Sequence, residues 1–308
     1  MGERAPFRRP KPLPPFYRNA SPWHADFVSK AEDGKETYAM TGKGQVFRHL
    51  HEQAGTFVMP NPWDAGSAKI LQVHGFKALA TTSSGMAFSL GLPEGQVSKA
   101  ATFAHCRVIA GATTLPVSAD LERGFADRPE DVAATVREAG AIGLAGCSIE
   151  DHTGSPERPI YDFGLAVERI AAAVEAARAL PDDFVLTARA EGLLWGETGL
   201  DDIIKRLQAF ERAGADVLFA PGLRDLRSIR TVCTAVMKPV NVVTELSGGF
   251  TVAELAGAGV KRISTGSKLA CLAYGGLARA AQEIAGQGSF GFTREAMGFE
   301  EVAKYFTK

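Results

Sequence analysis

The chain has 308 residues, a formal net charge of −1, 45% hydrophobic and 22% charged residues. That balance describes an ordinary folded protein, with none of the basic excess that nucleic-acid or membrane-surface partners select. No apolar run reaches the ~18 residues that cross a bilayer, the N-terminus lacks a secretory leader, and Cys106, Cys147, Cys233 and Cys271 stand far apart without a CxxC. Reduced thiols and a cytoplasmic location are therefore expected.

Residues 1–41 contain the Pro- and Arg-rich stretch RAPFRRPKPLPPFYRNASPW. Proline removes a backbone donor and favours extended chain, so this region reads as an N-terminal arm, either a free tail or a strap laid on a neighbouring subunit. From 42 onward the pattern is regular. A helical stretch, GKGQVFRHLHEQA, leads into eight short apolar runs. They are TFVMP (56–60), KALATT (77–82), PVSAD (116–120), GCSIE (146–150), FVLTAR (184–189), DVLFA (216–220), PVNVV (239–243) and VKRIST (260–265). Helical patterns fill the intervals: PEDVAATVREAG has Pro129 and acids in its first turn, and LAVERIAAAVEAARAL repeats apolar residues at helical spacing. Gly75, Gly140 and Gly214 are expected just past helix ends.

Short, nearly continuous apolar strands alternating with helices predict a parallel sheet covered by helices, and eight repeats predict a closed (β/α)8 TIM barrel over 42–308. No GxGxxG follows the first strand and no GxxxxGK[ST] occurs, so a nucleotide-binding alternative loses support. After SKLACLAYGGLARAAQEI and a glycine-rich break at 286–291, TREAMGFEEVAKYF predicts an extra C-terminal helix, which would dock on the barrel or on a partner.

Active sites of such barrels lie at the C-terminal ends of the strands. There the sequence places TTSSG (81–85), the run Asp120 to Phe125, Glu150-Asp151-His152, Arg189-Ala190-Glu191, Asn241 and Thr265-Gly266-Ser267. Asp120 and Glu122, two apart at a strand end, should project the same way, with Glu150 beside them. Oxygen donors without His or Cys select a hard ion, Mg²⁺ or Mn²⁺. The competing reading is that these acids cap helices or pair with Arg123 and Arg189. The fork of Arg189 suits a substrate carboxylate, and TTSSG, read as a tight turn, suits an anion. His152 is either a base or a hydrogen-bonding support; the remaining histidines read as structural. No lysine ends a strand, which disfavours a Schiff-base aldolase.

At these residues the sequence resembles the isocitrate lyase/phosphoenolpyruvate mutase superfamily. The resemblance spans about 45–285 and runs in order through TFVMPNPWDAGSAKI, GFKALATTSSG, SLGLPEGQ, PVSADLERGF, GCSIEDHTG, LTARAEGLL, GADVLFAPG, KPVNVV and VKRISTGSKLA. It implies Mg²⁺ held directly by Asp120, with Glu122, Glu150 and Glu94 as further metal or water ligands. It implies Arg189, Thr82, Ser83, Ser84 and Asn241 around a small 2-oxo acid, with Arg189, Glu150 and Glu122 as the catalytic set. It also implies a homo-oligomer, tetramer or dimer, that exchanges C-terminal helices.

The family's lyases carry a cysteine and lysines in a lid after the fourth strand. Here the lid reads HTGSPERPIYDFG (152–164) and has neither, so the resemblance does not extend to the thiol-dependent lyases. The mutase and phosphonopyruvate hydrolase lid pattern is missing too. What remains suits enolate stabilisation: C–C cleavage or decarboxylation of a 2-oxo or 2-hydroxy acid, as in an oxaloacetate decarboxylase. The alternatives are C–P chemistry on the same platform, mutase-like or phosphonopyruvate hydrolase-like, and a catalytically silent metabolite-binding barrel.

Overall fold

The computed structural model describes residues 42–244 and 249–307. The expected arm, 1–41, lies outside the described residues. Eight strands, β1 Phe57–Met59, β2 Leu79–Ala80, β3 Val117–Asp120, β4 Gly146–Glu150, β5 Val185–Arg189, β6 Val217–Phe219, β7 Val240–Val243 and β8 Arg262–Ser264, each fall inside one of the eight apolar runs. The helices are α1 Lys43–Glu52, α2 Ala65–Val73, α3 Ser83–Ser89, α4 Lys99–Ala112, α5 Pro129–Ala141, α6 Phe163–Arg178, α7 Gly192–Trp195, α8 Leu200–Arg212, α9 Leu226–Ala235, α10 Val252–Gly257, α11 Lys268–Gln287 and α12 Phe299–Ala303.

All strand pairs are parallel, in the order β1-β8-β7-β6-β5-β4-β3-β2. The two ends of that sheet meet at one seam. There the Ala80 N–H donates to the Pro60 carbonyl at 3.1 Å, and Asn61 Nδ2 donates to the Thr81 carbonyl at 3.0 Å. The (β/α)8 barrel is thus closed by one backbone bond and one side-chain clamp. Asn61 Oδ1 also accepts from the N–H groups of Thr265 and Gly266, tying the loop after β8 to the same seam.

The strands are buried on both faces, which explains their lack of alternation. Their outer faces pack on apolar helix stripes: in α6, Ala166, Ile170, Ala173, Val174 and Ala177 are buried at helical spacing. One cation, Arg169, sits in that stripe at 1% exposure. The bottom of the barrel is plugged by α1, whose Phe47 and Leu50 cluster with Met59, Ala78, Ala145, Val185 and Val217.

Three expectations about helix ends need correction. Gly75 (φ 82°) and Gly214 (φ 99°) do end helices in the left-handed region. Gly140, however, lies inside α5, where a Cβ would come 2.5 Å from Leu180 Cδ1, and Gly143 (φ 79°) makes the exit instead. Gly286 belongs to α11, which ends at a left-handed Gly288. The final helix is broken: a 3-10 turn, Gly291–Arg294, and the five residues of α12 replace the continuous helix expected from 293 to 306. Gly298 interrupts that pattern and serves as the N-cap of α12. No helix among the described residues is long and apolar enough to cross a membrane.

Candidate active site

Register places the site. Glu150 pairs with Arg189, Asp120 with Ser148, and Arg189 with Phe219, so three adjacent strands deliver acid, acid and guanidinium to the same end of the barrel. Arg189 is the hub. Its Nη1 lies 2.9 Å from Asp120 Oδ1, its Nη2 3.3 Å from Glu150 Oε2, and its Nε 2.8 Å from Glu191 Oε1. Burial alone would weaken the guanidinium's charge, but Glu191, Glu150 and Asp120 outweigh it and hold its pKa well above the usual value. The competing reading of the acids as partners of Arg189 is thus realised for Asp120 and Glu150. Arg123 pairs instead with Asp127, at 2.7 Å.

The carboxylates outnumber that cation. Burial, with Asp120 and Glu94 nearby, pushes Glu122 up to about 7. Burial also drives Glu150 well above the carboxylate range against the pull of Arg189, and lifts Glu191 to about 7. Among the described residues no group of three or more His, Cys, Asp or Glu side chains forms a ready-made metal site. The chemistry of the donor set nevertheless fits a hard divalent ion: oxygen only, strongly acidic, and under-compensated by one guanidinium.

Local backbone explains how these groups are aimed. The TTSSG segment is the start of α3 rather than a tight turn: Thr82 is its N-cap and accepts from the Gly85 N–H at 3.2 Å. Ser83 Oγ donates to Asp120 Oδ2 at 2.9 Å and lies 3.4 Å from Glu94 Oε1. Thr81 Oγ1 accepts from the Asp120 N–H at 2.9 Å. Glu122 does not continue the strand alternation expected of it. Strand β3 ends at Asp120, and Glu122 (φ 51°), Gly124 (φ 76°) and Phe125 (φ 57°) turn through the left-handed region. Gly124 adopts this region freely, whereas Glu122 and Phe125 cost ~1 kcal/mol or more each and persist only where the surroundings hold them. Arg169 does the holding: its Nη1 donates to the Ala126 carbonyl at 2.8 Å and its Nη2 to the Arg123 carbonyl, while its guanidinium stacks 4.1 Å over the Tyr161 ring.

His152 stacks on Trp195 with ring centroids 4.2 Å apart, and its Nδ1 is 3.7 Å from Glu150 Oε1. Burial and the Arg189 and Arg123 charges lower its pKa. The lid folds back on itself through the His152–Ile160 bridge and the Thr153 N–H to the Pro159 carbonyl, 2.8 Å. Arg158 pairs with Asp162, and the Tyr161 hydroxyl bonds Asp127. Neither faces the cavity. Asp151 is a brace: its Oδ1 accepts from the Glu191 N–H at 2.7 Å and its Oδ2 lies 3.2 Å from Arg206.

All nine residues singled out in the sequence, Thr82, Ser83, Ser84, Glu94, Asp120, Glu122, Glu150, Arg189 and Asn241, line one cavity of about 1070 Å³ at the C-terminal end of the barrel. Asn241 sits deep, with Oδ1 accepting from Arg262 Nε at 2.8 Å and Nδ2 donating to Ser264 Oγ at 3.1 Å. Sequence reasoning gave no site role to several lining residues, among them Asn61, Trp195 and Cys271, and it placed Glu191 at a strand end without assigning it one. Glu191 was legible as a strand-end acid two positions after Arg189. The others sit on loops or helices whose approach depends on tertiary packing.

The sequence profile of a family described as phosphoenolpyruvate phosphomutase matches residues 47–285. Among solved structures, a candidate lyase/mutase of Burkholderia cenocepacia is 50% identical, with a TM-score of 0.84 over 86% of this chain and 96% of that one. Oxaloacetate acetylhydrolase, solved with its product oxalate, is 27% identical with a TM-score of 0.77 over 86% and 93%. The 2-methylisocitrate lyase of Escherichia coli is 32% identical over 64% of this chain and 68% of its own length.

Proposed function

Because the chain belongs to the phosphoenolpyruvate mutase family, within the isocitrate lyase/phosphoenolpyruvate mutase superfamily, we propose that it is a carbon–carbon lyase that cleaves or decarboxylates a small 2-oxo or 2-hydroxy acid. The observation that carries this reading is Arg189, a buried guanidinium ringed by Asp120, Glu150 and Glu191 at the floor of the cavity. The oxalate complex of oxaloacetate acetylhydrolase supports the substrate class.

In this reading Asp120, with Glu122, Glu150 and Glu94, holds a divalent cation, Mg²⁺ or Mn²⁺. That cation supplies Lewis-acid stabilisation of charge developing on a 2-oxo group. The protein's own residues do the rest. Arg189 presents two parallel N–H donors to the substrate carboxylate. Ser83 and Ser84, at the start of α3, offer hydroxyl and backbone donors to the same anion. Asn241 lies below, held rigid by Arg262 and Ser264. Glu122, pushed up to about 7 while the acids around it are uncompensated, would give up that proton to bind the ion, so its charge is coupled to metal loading. No cysteine or lysine stands in 152–164, so a lid thiol is not the proton donor here.

Turnover of oxaloacetate, phosphonopyruvate and 2-methylisocitrate, each with Mg²⁺ and with EDTA, tests the reading. Metal-dependent loss of oxaloacetate is expected, and turnover of 2-methylisocitrate would restore the thiol-dependent lyase reading that the lid sequence argues against. Turnover of phosphonopyruvate alone would move the chain to C–P chemistry, and no turnover of any with intact oxalate binding would make it a binding barrel.

A further inference from the structure

The cavity above Arg189 is larger than a three- or four-carbon acid needs. Its volume of about 1070 Å³ is at the top of the range for small-molecule sites. Its floor is charged, but part of its wall is aromatic and apolar. Trp195 lies flat on His152, with planes 5° apart, and remains 47% exposed. Leu194 stands next to it, and Phe88 on α3, Val97 between α3 and α4, and Phe125 in the loop after β3 reach the same space.

The position of Trp195 is built rather than incidental. The N–H groups of Leu194 and Trp195 donate to the Glu191 carbonyl at 2.9 and 3.2 Å. The same Glu191 holds Arg189 through its carboxylate, so one short segment carries both the anion anchor and the aromatic wall. Gly196, left-handed at φ 71°, closes α7. Gly222, at φ 98°, lets the loop after β6 lie directly against it: a Cβ there would fall 2.9 Å from the Leu194 nitrogen. These contacts fix the offset between Arg189 and the Trp195 ring.

We propose that this wall is a side-chain subsite, and that the substrate is a 2-oxo or 2-hydroxy acid bearing a large apolar substituent, with Trp195 as the specificity-determining residue. The proposal rests on the reading of Arg189 as the carboxylate anchor. The anchor holds the acid end; the substituent then lies along the Trp195–His152 stack, where it displaces water from exposed apolar surface. A substrate without such a group would leave this surface wet.

Calorimetric titration of the full-length protein with Mg²⁺ present tests this with oxalate, pyruvate and phenylpyruvate. Phenylpyruvate is expected to bind about 10-fold or more tighter than pyruvate, the scale of an added apolar group in a fitted pocket. Trp195→Ala should erase that advantage while changing oxalate affinity by less than about two-fold, and Trp195→Phe should retain part of it. Equal affinity of the wild type for pyruvate and phenylpyruvate, with oxalate bound, would overturn the subsite and leave the anchor standing. Failure of all three to bind would overturn both. If Trp195→Ala changes the oligomeric state but not the ligand preference, the wall is a subunit contact and the proposal is wrong.

Discussion

Arg189 Nη1 lies 2.9 Å from Asp120 Oδ1, so the residue proposed to hold substrate and the acid proposed to hold metal neutralise each other. Each has a different partner in the loaded site. A cation that takes Asp120 and Glu150 releases both terminal nitrogens of the guanidinium for a carboxylate, which makes the two binding events cooperative. Asp120→Ala should therefore abolish the Mg²⁺-dependent rise in melting temperature that binding to the folded state confers. Undiminished Mg²⁺ binding in that variant by calorimetry would remove Asp120 from the metal site. Arg189→Lys keeps the charge and loses the fork; its oxalate affinity should fall at least ~10-fold, about 1.4 kcal/mol.

Arg169 predicts a second effect, remote from the chemistry. It is 1% exposed, and its Nη1 and Nη2 donate to backbone carbonyls of the left-handed loop that carries Glu122. Arg169→Met fills much of the space but leaves those carbonyls unpaired, at ~1–3 kcal/mol for each buried group. A stability loss of about 3 kcal/mol in urea denaturation is expected, with Mg²⁺ affinity reduced in the fraction that folds. A variant as stable as the wild type, with Mg²⁺ bound normally, would show that the loop holds its shape unaided.

These two residues also mark how far the sequence could be read. All eight strands and the end of the barrel where chemistry belongs were legible, because buried parallel strands leave short apolar runs and strand-end polar residues stand out against them. Asp120, Glu150 and Arg189 came together as expected. Glu122 reached the cavity by a different route, since no period-2 rule anticipates a left-handed residue. Arg169 was invisible: a lone arginine in an apolar stripe reads as an exposed position until the loop it braces is known. Trp195 was equally hidden, because its place depends on Gly222, far along the chain. The broken C-terminal helix was missed because the apolar spacing of 293–306 runs across Gly298.

That C-terminal segment gives a third prediction. Phe299 is 89% and Met297 54% exposed, while Phe306 turns back toward Gly66 in α2 and Tyr305 lies against His74. The segment is thus tethered at its end and bare in its middle. Exposed aromatics of this size favour burial against a partner, and exchange between subunits is the arrangement we propose. Truncation after residue 288 should give a smaller or aggregated species by light scattering. A well-behaved particle of unchanged subunit number would refute the exchange.

The fourth prediction concerns pH and the bottom of the barrel. His51, 8% exposed, is held by two opposite demands. Its Nδ1 is 2.7 Å from the Phe47 carbonyl, which asks for an N–H; its Nε2 is 3.1 Å from Arg262 Nη1, which asks for a lone pair. Arg262 bonds otherwise to Asn241 and Thr187 and stays cationic at neutral pH. Protonated His51 would set N–H against N–H. Burial first, then the Arg262 charge, with Lys261 and Arg48 adding to it and the Phe47 carbonyl opposing, hold its pKa well below 6.5. The folded state therefore binds fewer protons than the unfolded chain once pH drops under ~6.5, and stability falls with pH by up to about 1.4 kcal/mol per unit from this one residue. The contribution is intact above ~6.5 and is lost progressively below it, down to the depressed folded-state value. Glu122 and Glu191, pushed up to about 7, act in the opposite sense, so the comparison must be made against a variant that shares them. His51→Gln offers a donor and an acceptor that do not titrate. Between pH 7 and pH 5.5 the wild type should lose roughly 2–4 °C more in melting temperature than His51→Gln. Parallel curves for the two proteins would mean that His51 accepts its proton without cost and that the Arg262 contact yields to it.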